Sequence, residues 1–213
     1  MKKTILIAVL ICSAGFAFAQ SAKYESAMKS NIAQLDSLMI NNNYVELANN
    51  FIRIGDAEKT QWLPYYYAAY CYATGGLMEK DNSKKDAIAD RADSLITKAD
   101  AILGKDNSET SLIKAMIATD HMLVDPQNRY MTYGSAITDN VQQSESLDPT
   151  NPRPVLFEAE SKFNTPEAYG GGKDAAKQLF DKAKQLFDNF KPESDISPNW
   201  GRSALDYFLS QYK

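Results

Sequence analysis

The side chains able to do chemistry are unevenly spread, and the densest group is aromatic. Trp62, Tyr65, Tyr66, Tyr67, Tyr70 and Tyr72 fall close together. On a helix these rings point around most of the circumference, so one core cannot take them all. Tyrosine presents a rigid apolar ring and a polar hydroxyl at small entropic cost, which suits a binding surface. Tyr66 and Tyr70 are expected to line it, and Trp62 and Tyr169 complete the candidate partner-binding residues. The competing reading has the tyrosines filling space between helices with their hydroxyls in water, and it also suits Trp62 and Trp200.

Gly170, Gly171, Gly172, Lys173 and Asp174 suggest a second chemistry, a loop that cradles phosphate. The pattern fails as a P-loop. Glu167 stands where its first glycine belongs, and Asp174 replaces the hydroxyl residue after lysine. What survives is an anion resting on the amides of Gly171 and Gly172, beside Lys173, at a helix start. The alternative there is a long turn with Asp174 near the cap.

Catalysis has little to work with. His121 is the single histidine, flanked by Asp120 and close to Asp125, but adjacent helical residues do not face each other. No nucleophile elbow, His-Glu-x-x-His motif or cysteine pair occurs, and one histidine leaves a transition metal only carboxylates. Neither a metal nor a cofactor is expected. Cys71, inside a helical pattern without a neighbouring base, reads as an inert buried thiol.

The elements that must position these residues are helices. Apolar residues recur at three and four almost throughout, and nowhere alternate for long. Nine helices follow, carrying the stripes Met28 to Met39, Tyr44 to Ile52, Trp62 to Ala73, Ile88 to Leu103, Leu112 to Leu123, Tyr130 to Leu147, Pro154 to Phe163, Ala176 to Phe187 and Trp200 to Tyr212. Gly55, the pair Gly75 and Gly76, and Gly104 read as stops. Ser83 and Ser108 read as N-caps, and Pro198 as a first-turn proline opening the last helix.

Residues 1–19 read as a secretory signal, with Lys2 and Lys3, an apolar run from Ile5 to Ile11, and Ala17-Phe18-Ala19 before cleavage. Ile11 before Cys12 argues against a lipoprotein signal. Residues 20–213 then form one domain, exported to the periplasm or outer envelope of a Gram-negative bacterium, without stable membrane insertion. The full chain is 44% apolar, which supports a packed core. Losing Lys2 and Lys3 moves the net charge from -4 to -6, which disfavours nucleic acid and anionic membranes as partners. Only Cys71 would remain, so no intramolecular disulfide can form.

An internal spacing repeats. Ala92, Ile96 and Ala99 match Ala176, Phe180 and Ala183, 84 residues later. A middle copy is either Gly134, Thr138 and Val141 or, three residues on, Ile137, Val141 and Ser144. Small residues let the second helix of a hairpin approach the first. This spacing, the turn Leu147-Asp148-Pro149-Thr150-Asn151-Pro152 and the series Tyr65, Ala68, Ala69, Tyr72 resemble the tetratricopeptide repeat family, over Gln61 to Phe187. The period is longer than the family's roughly 34 residues. The resemblance implies an all-α array of about four antiparallel hairpins with a C-terminal capping helix, whose first helices line a concave binding face.

The function expected is non-catalytic capture of a protein or peptide partner on that face. The alternative is a small-solute binder associated with transport, in which the helices curl around a pocket holding Tyr66, Tyr70 and one or two charges. The third reading, an unrecognised hydrolase, needs His121 in a cleft beside a carboxylate.

Overall fold

The computed structural model describes residues 22–37 and 42–212. The expected export signal, Cys12 and Met39 lie outside the described residues. Among those described there are nine α-helices and no strand. They are α1 (22–32), α2 (Tyr44–Glu58), α3 (Leu63–Met78), α4 (Asn82–Leu103), α5 (Ser108–Val124), α6 (Pro126–Leu147), α7 (Pro152–Asn164), α8 (Lys173–Asn189) and α9 (Arg202–Ser210). No described helix is long and apolar enough to cross a membrane.

Helix number and order follow the expectation, but several ends differ for identifiable reasons. Gly55 does not stop α2, which runs on to Glu58 and ends at Lys59 in the left-handed region. Gly55 instead gives room to the ring of Tyr65, whose Cζ would lie 2.7 Å from an added Cβ. Gly75 and Gly76 likewise sit inside α3, with the Tyr44 ring and the Asp120 carboxyl packed where side chains would be. The α4 and α5 caps are Asp81 and Asn107, whose side chains accept from the amides of Ser83 at 3.1 Å and Glu109 at 2.8 Å. Ser108 exchanges hydrogen bonds with Ser144 and so fastens α5 to α6.

From α2 to α6 each helix packs on its successor, α3 also packs on α5, and α7 pairs with α8. The close approaches use the repeated small residues. Ala92, Ile96, Ala99, Ala176, Phe180 and Ala183 are all fully buried. In α6, Val141 and Ser144 are buried while Thr138 is exposed, so the later register faces the partner helix. Each large side chain removed from water in this way contributes about 1.5–3 kcal/mol.

The buried residues form two clusters, one across α1 to α5 and the other across α7 to α9. Residues 190–201 join them. Pro198 does not open the last helix, because α9 starts only at Arg202, after Gly201 at φ 105. The preceding segment crosses to α3, where Ile196 and Trp200 pack on the first cluster and the Tyr67 hydroxyl donates to the Ile196 carbonyl at 2.9 Å. The C-terminal region thus covers α7 and α8 with α9, and also covers the face of α3 with a strap.

Candidate functional site

The strap is held by a buried charge. Asn151 caps α7 and Pro152 opens it, which sets Arg153 in the first turn at 2% exposure. Its Nε lies 3.0 and 3.1 Å from the two carboxylate oxygens of Glu109 on α5, and Nη2 makes a further, shorter contact. Glu109 also accepts from Asn151 Nδ2 at 2.7 Å and from the Tyr66 hydroxyl at 2.6 Å. Tyr66 in turn accepts from Trp200 Nε1 at 2.8 Å. The bonds to Glu109 offset part of the cost of burying the pair, while Arg153 Nη1 is buried without a partner. Burial and the adjacent Glu109 charge hold the Tyr66 hydroxyl well above its usual range, so it remains a donor.

This chain fixes the Trp200 ring, which stacks on Tyr70 with centroids 4.3 Å apart. Beside the pair lies a cavity of about 140 Å³. Tyr70, Thr74, Leu77 and Met78 of α3, Met116 of α5, and Arg153, Leu156, Phe157 and Glu160 of α7 line it, with Gly201, Ser203 and Ala204 at the C-terminal side. Exposed Asp36 and Ser203 mark its mouth. Its walls are largely apolar, with a few polar groups converging. Thr74 Oγ1 is buried without a partner, burial pushes the Tyr70 hydroxyl up so that it stays protonated, and burial raises the Glu160 carboxyl to about 7. A few placed polar groups in an apolar concavity are the usual make-up of a small-molecule site.

A wider crevice of about 770 Å³ opens on the other side of Arg153, between Trp62, Phe190 and Pro198, with Lys105 and Lys191 on its lining. Its lining is more polar, and much of it comes from loops. The ion pair at its floor uses Nε and Nη2 of Arg153, while Nη1 is buried without a partner.

The structure brings some of the expected residues to the cavity and not others. Tyr70 lines it. Tyr66 does not, because it is fully buried and joined at its hydroxyl to Glu109 and Trp200, so it supports the site from behind. Trp62 packs edge-on to Tyr66 and faces the wider crevice. Tyr169 is 82% exposed on a short 3-10 turn and lines neither space.

The proposed anion site at Gly171, Gly172 and Lys173 is overturned. The Gly171 amide donates to the Pro166 carbonyl and the Gly172 amide to the Lys162 carbonyl, which leaves neither for an anion. Lys173 Nζ lies 5.1 Å above the Tyr212 ring. His121 takes as its carboxylate neither Asp120 nor Asp125, but Asp86 of α4, at 2.7 Å. Arg129 clamps the same carboxylate at 2.6 and 2.9 Å, and together they lower Asp86 to about 2. The imidazole stacks on Tyr133 and does not line the cavity. Cys71 is buried, and its thiol is pushed up by burial. Among the described residues no group of acidic, histidine and cysteine side chains could hold a metal ion.

Sequence reasoning missed Arg153, Phe157 and Glu160. A usable signal existed, since Arg153, Leu156, Phe157 and Glu160 recur at three and four residues and therefore share one face of α7. Trp200 was noticed, but as the head of a capping helix.

Taken together, these features define an all-helical protein in which α3, α5, α7 and the C-terminal residues line an aromatic cavity. No protein-family model and no curated relative matches the chain. Among solved structures, the HusA haemophore from Porphyromonas gingivalis superposes with a TM-score of 0.75 at 31% identity, covering 89% of this chain and 92% of that one. The chain belongs to the same family as that haemophore.

Proposed function

We propose that this protein is an exported, non-catalytic carrier that captures a small, mostly apolar ligand of the tetrapyrrole class in the cavity beside Tyr70 and Trp200. The observation that carries this reading is the similarity to a haemophore over nearly the whole of both chains. It favours the small-solute alternative over a peptide scaffold. The cavity with Tyr70 and a carboxyl group agrees with the same alternative. The tetratricopeptide-like reading of the hairpins remains part of the proposal, supported by the buried small-residue stripes of α4, α6 and α8.

Size sets how such a ligand would enter. An apolar cavity of about 150 Å³ admits a benzene-sized guest, so 140 Å³ takes one ring of a macrocycle and leaves the rest over the mouth. Aromatic rings, the thioethers of Met78 and Met116, and oxygen groups offer the contacts there, and His121 stands elsewhere. The test is titration of the purified protein with haem and with metal-free protoporphyrin, followed by absorbance and by tryptophan fluorescence in Trp62→Phe, which leaves Trp200 as the reporter. Saturable quenching that is lost in Tyr70→Ala, with its helical signal intact, is the expected result. Quenching unaffected by Tyr70→Ala places the ligand elsewhere, and no saturable binding overturns the reading.

A further inference from the structure

Arg153 lines both the cavity and the wider crevice. Its Nε and Nη2 are taken up by Glu109, but Nη1 is buried with no hydrogen-bond partner. The guanidinium carbon lies 4.6 Å from the Phe190 ring centre and 5.7 Å from that of Trp200. Ring faces attract a cation, but they do not stand in for an oxygen acceptor. A charged donor left buried without an acceptor is costly, and an incoming acceptor removes that cost. Glu160 on the same helix does not supply one, since seven residues of helix separate it from Arg153 by roughly 10 Å. Leu156 and Phe157 line the cavity between them.

We propose that Arg153 anchors the ligand of this cavity, with a ring-sized group seated against Leu156 and Phe157 and a carboxylate on that group accepting from Nη1. Nη1 is closed to water in this structure, so the carboxylate reaches it by a turn of the Trp200 ring, the one of its two aromatic neighbours that lines the cavity. The ring size follows from the cavity volume of about 140 Å³. The other charged and titratable groups around the cavity set when a carboxylate is accepted. Residues 35–37 contribute Asp36, which is exposed and screened by water, and α3 contributes the protonated Tyr70. Met116 of α5 and Ser203 and Ala204 of α9 carry no charge. Glu160 is neutral below about pH 7 and repels a carboxylate above it. The proposal rests on this cavity being the ligand site, but it does not require the ligand to be a tetrapyrrole. For a tetrapyrrole, the anchored group is one of its carboxylate side chains.

The test compares benzoate, benzamide and toluene by nuclear magnetic resonance titration at pH 6 and pH 8, following the Trp200 indole N–H and the Arg153 Nε–H. Benzoate is expected to bind saturably, to shift the Arg153 signal, and to bind about tenfold more tightly at pH 6 than the neutral benzamide, the scale of a charge-assisted bond. Its affinity should fall at pH 8, and in Glu160→Gln that pH dependence should be gone. Arg153→Lys keeps a charge opposite Glu109 but has no second nitrogen to offer. It should weaken benzoate about tenfold or more and change toluene less than about twofold. Benzoate binding no more tightly than benzamide, an affinity equal at both pH values, or one indifferent to Arg153→Lys overturns the proposal. Should that variant not fold, the wild-type preference for benzoate and the shift of the Arg153 signal decide alone. Haem titrated alongside separates the two readings. Failure of haem with the benzoate preference intact removes only the tetrapyrrole class, and haem binding without any benzoate preference removes only the present proposal.

Discussion

Replacing Glu109 with Gln removes one negative charge from the buried chain that holds the strap, and the cost can be worked from its partners. Glu109 accepts from Arg153, Asn151 and Tyr66. The amide keeps one acceptor oxygen but turns its other end into a donor facing donors. Arg153, at 2% exposure, is left with a charge that neither solvent nor a carboxylate offsets. Breaking a buried pair by neutralising one partner costs about 3–5 kcal/mol. Against a total stability of about 5–15 kcal/mol, that is a large fraction. Urea unfolding followed by circular dichroism should show it as a lower midpoint with an unchanged slope. Arg153→Met should also destabilise, because it leaves the Glu109 carboxylate buried without its cation. The double replacement Glu109→Leu with Arg153→Met should recover much of the loss, since an apolar pair of similar volume is often neutral. Tyr66 and Trp200 depend on Glu109 for orientation, so ligand quenching of Trp200 should fall in the single variant. A cost below about 1 kcal/mol for Glu109→Gln, the range of exposed pairs, would refute the argument that this charge is desolvated and sustains the site.

Other perturbations test the surroundings. Asp120 is fully buried and neither oxygen has a partner, so burial raises its carboxyl to about 8 against an ordinary 3.8. The unfolded chain ionises above about pH 4 and the folded one resists until about pH 8, so stability falls as pH rises through that window, by up to roughly 5 kcal/mol. Asp120→Asn should flatten this pH profile and be the more stable protein at pH 8. Destabilisation at pH 8 would mean that Asp120 ionises and pairs with Lys85. Gly201→Ala places a side chain at φ 105 and 3.0 Å from Leu156 and Phe187. It should cost about 1–3 kcal/mol in thermal unfolding and weaken ligand capture, because that turn borders the cavity. His121→Asn should leave haem titration unchanged and stability within about 1 kcal/mol, since its hydrogen-bond partner Asp86 is part-exposed and keeps Arg129. Loss of haem binding there would bring His121 back into the site.

The sequence by itself determined the class of fold, the number of helices and the packing faces. The reason is that three-and-four periodicity and a small residue at a close crossing are local requirements, legible at Ala92, Ile96, Ala99, Ala176, Phe180 and Ala183. It also marked Cys71 as a buried thiol, because a cysteine inside an apolar helical pattern without a neighbouring base packs as a small apolar side chain. It placed a ring of the site at Tyr70 but misassigned Tyr66, since a helix with aromatics on every side carries no mark of which side faces a neighbour. Helix ends at Gly55 and Gly76 were misread for a similar reason, as glycine serves both as a stop and as room for a distant Tyr65 or Asp120.

Only the tertiary structure decided that Arg153 and Glu109 meet, although they are 44 residues apart, and that Trp200 reaches back to Tyr66 across 134 residues. Buried charge and hydrogen-bond complementarity are properties of the assembled interior. A chain read one residue at a time shows only an arginine, a glutamate and a tryptophan, each of which would be ordinary at a surface.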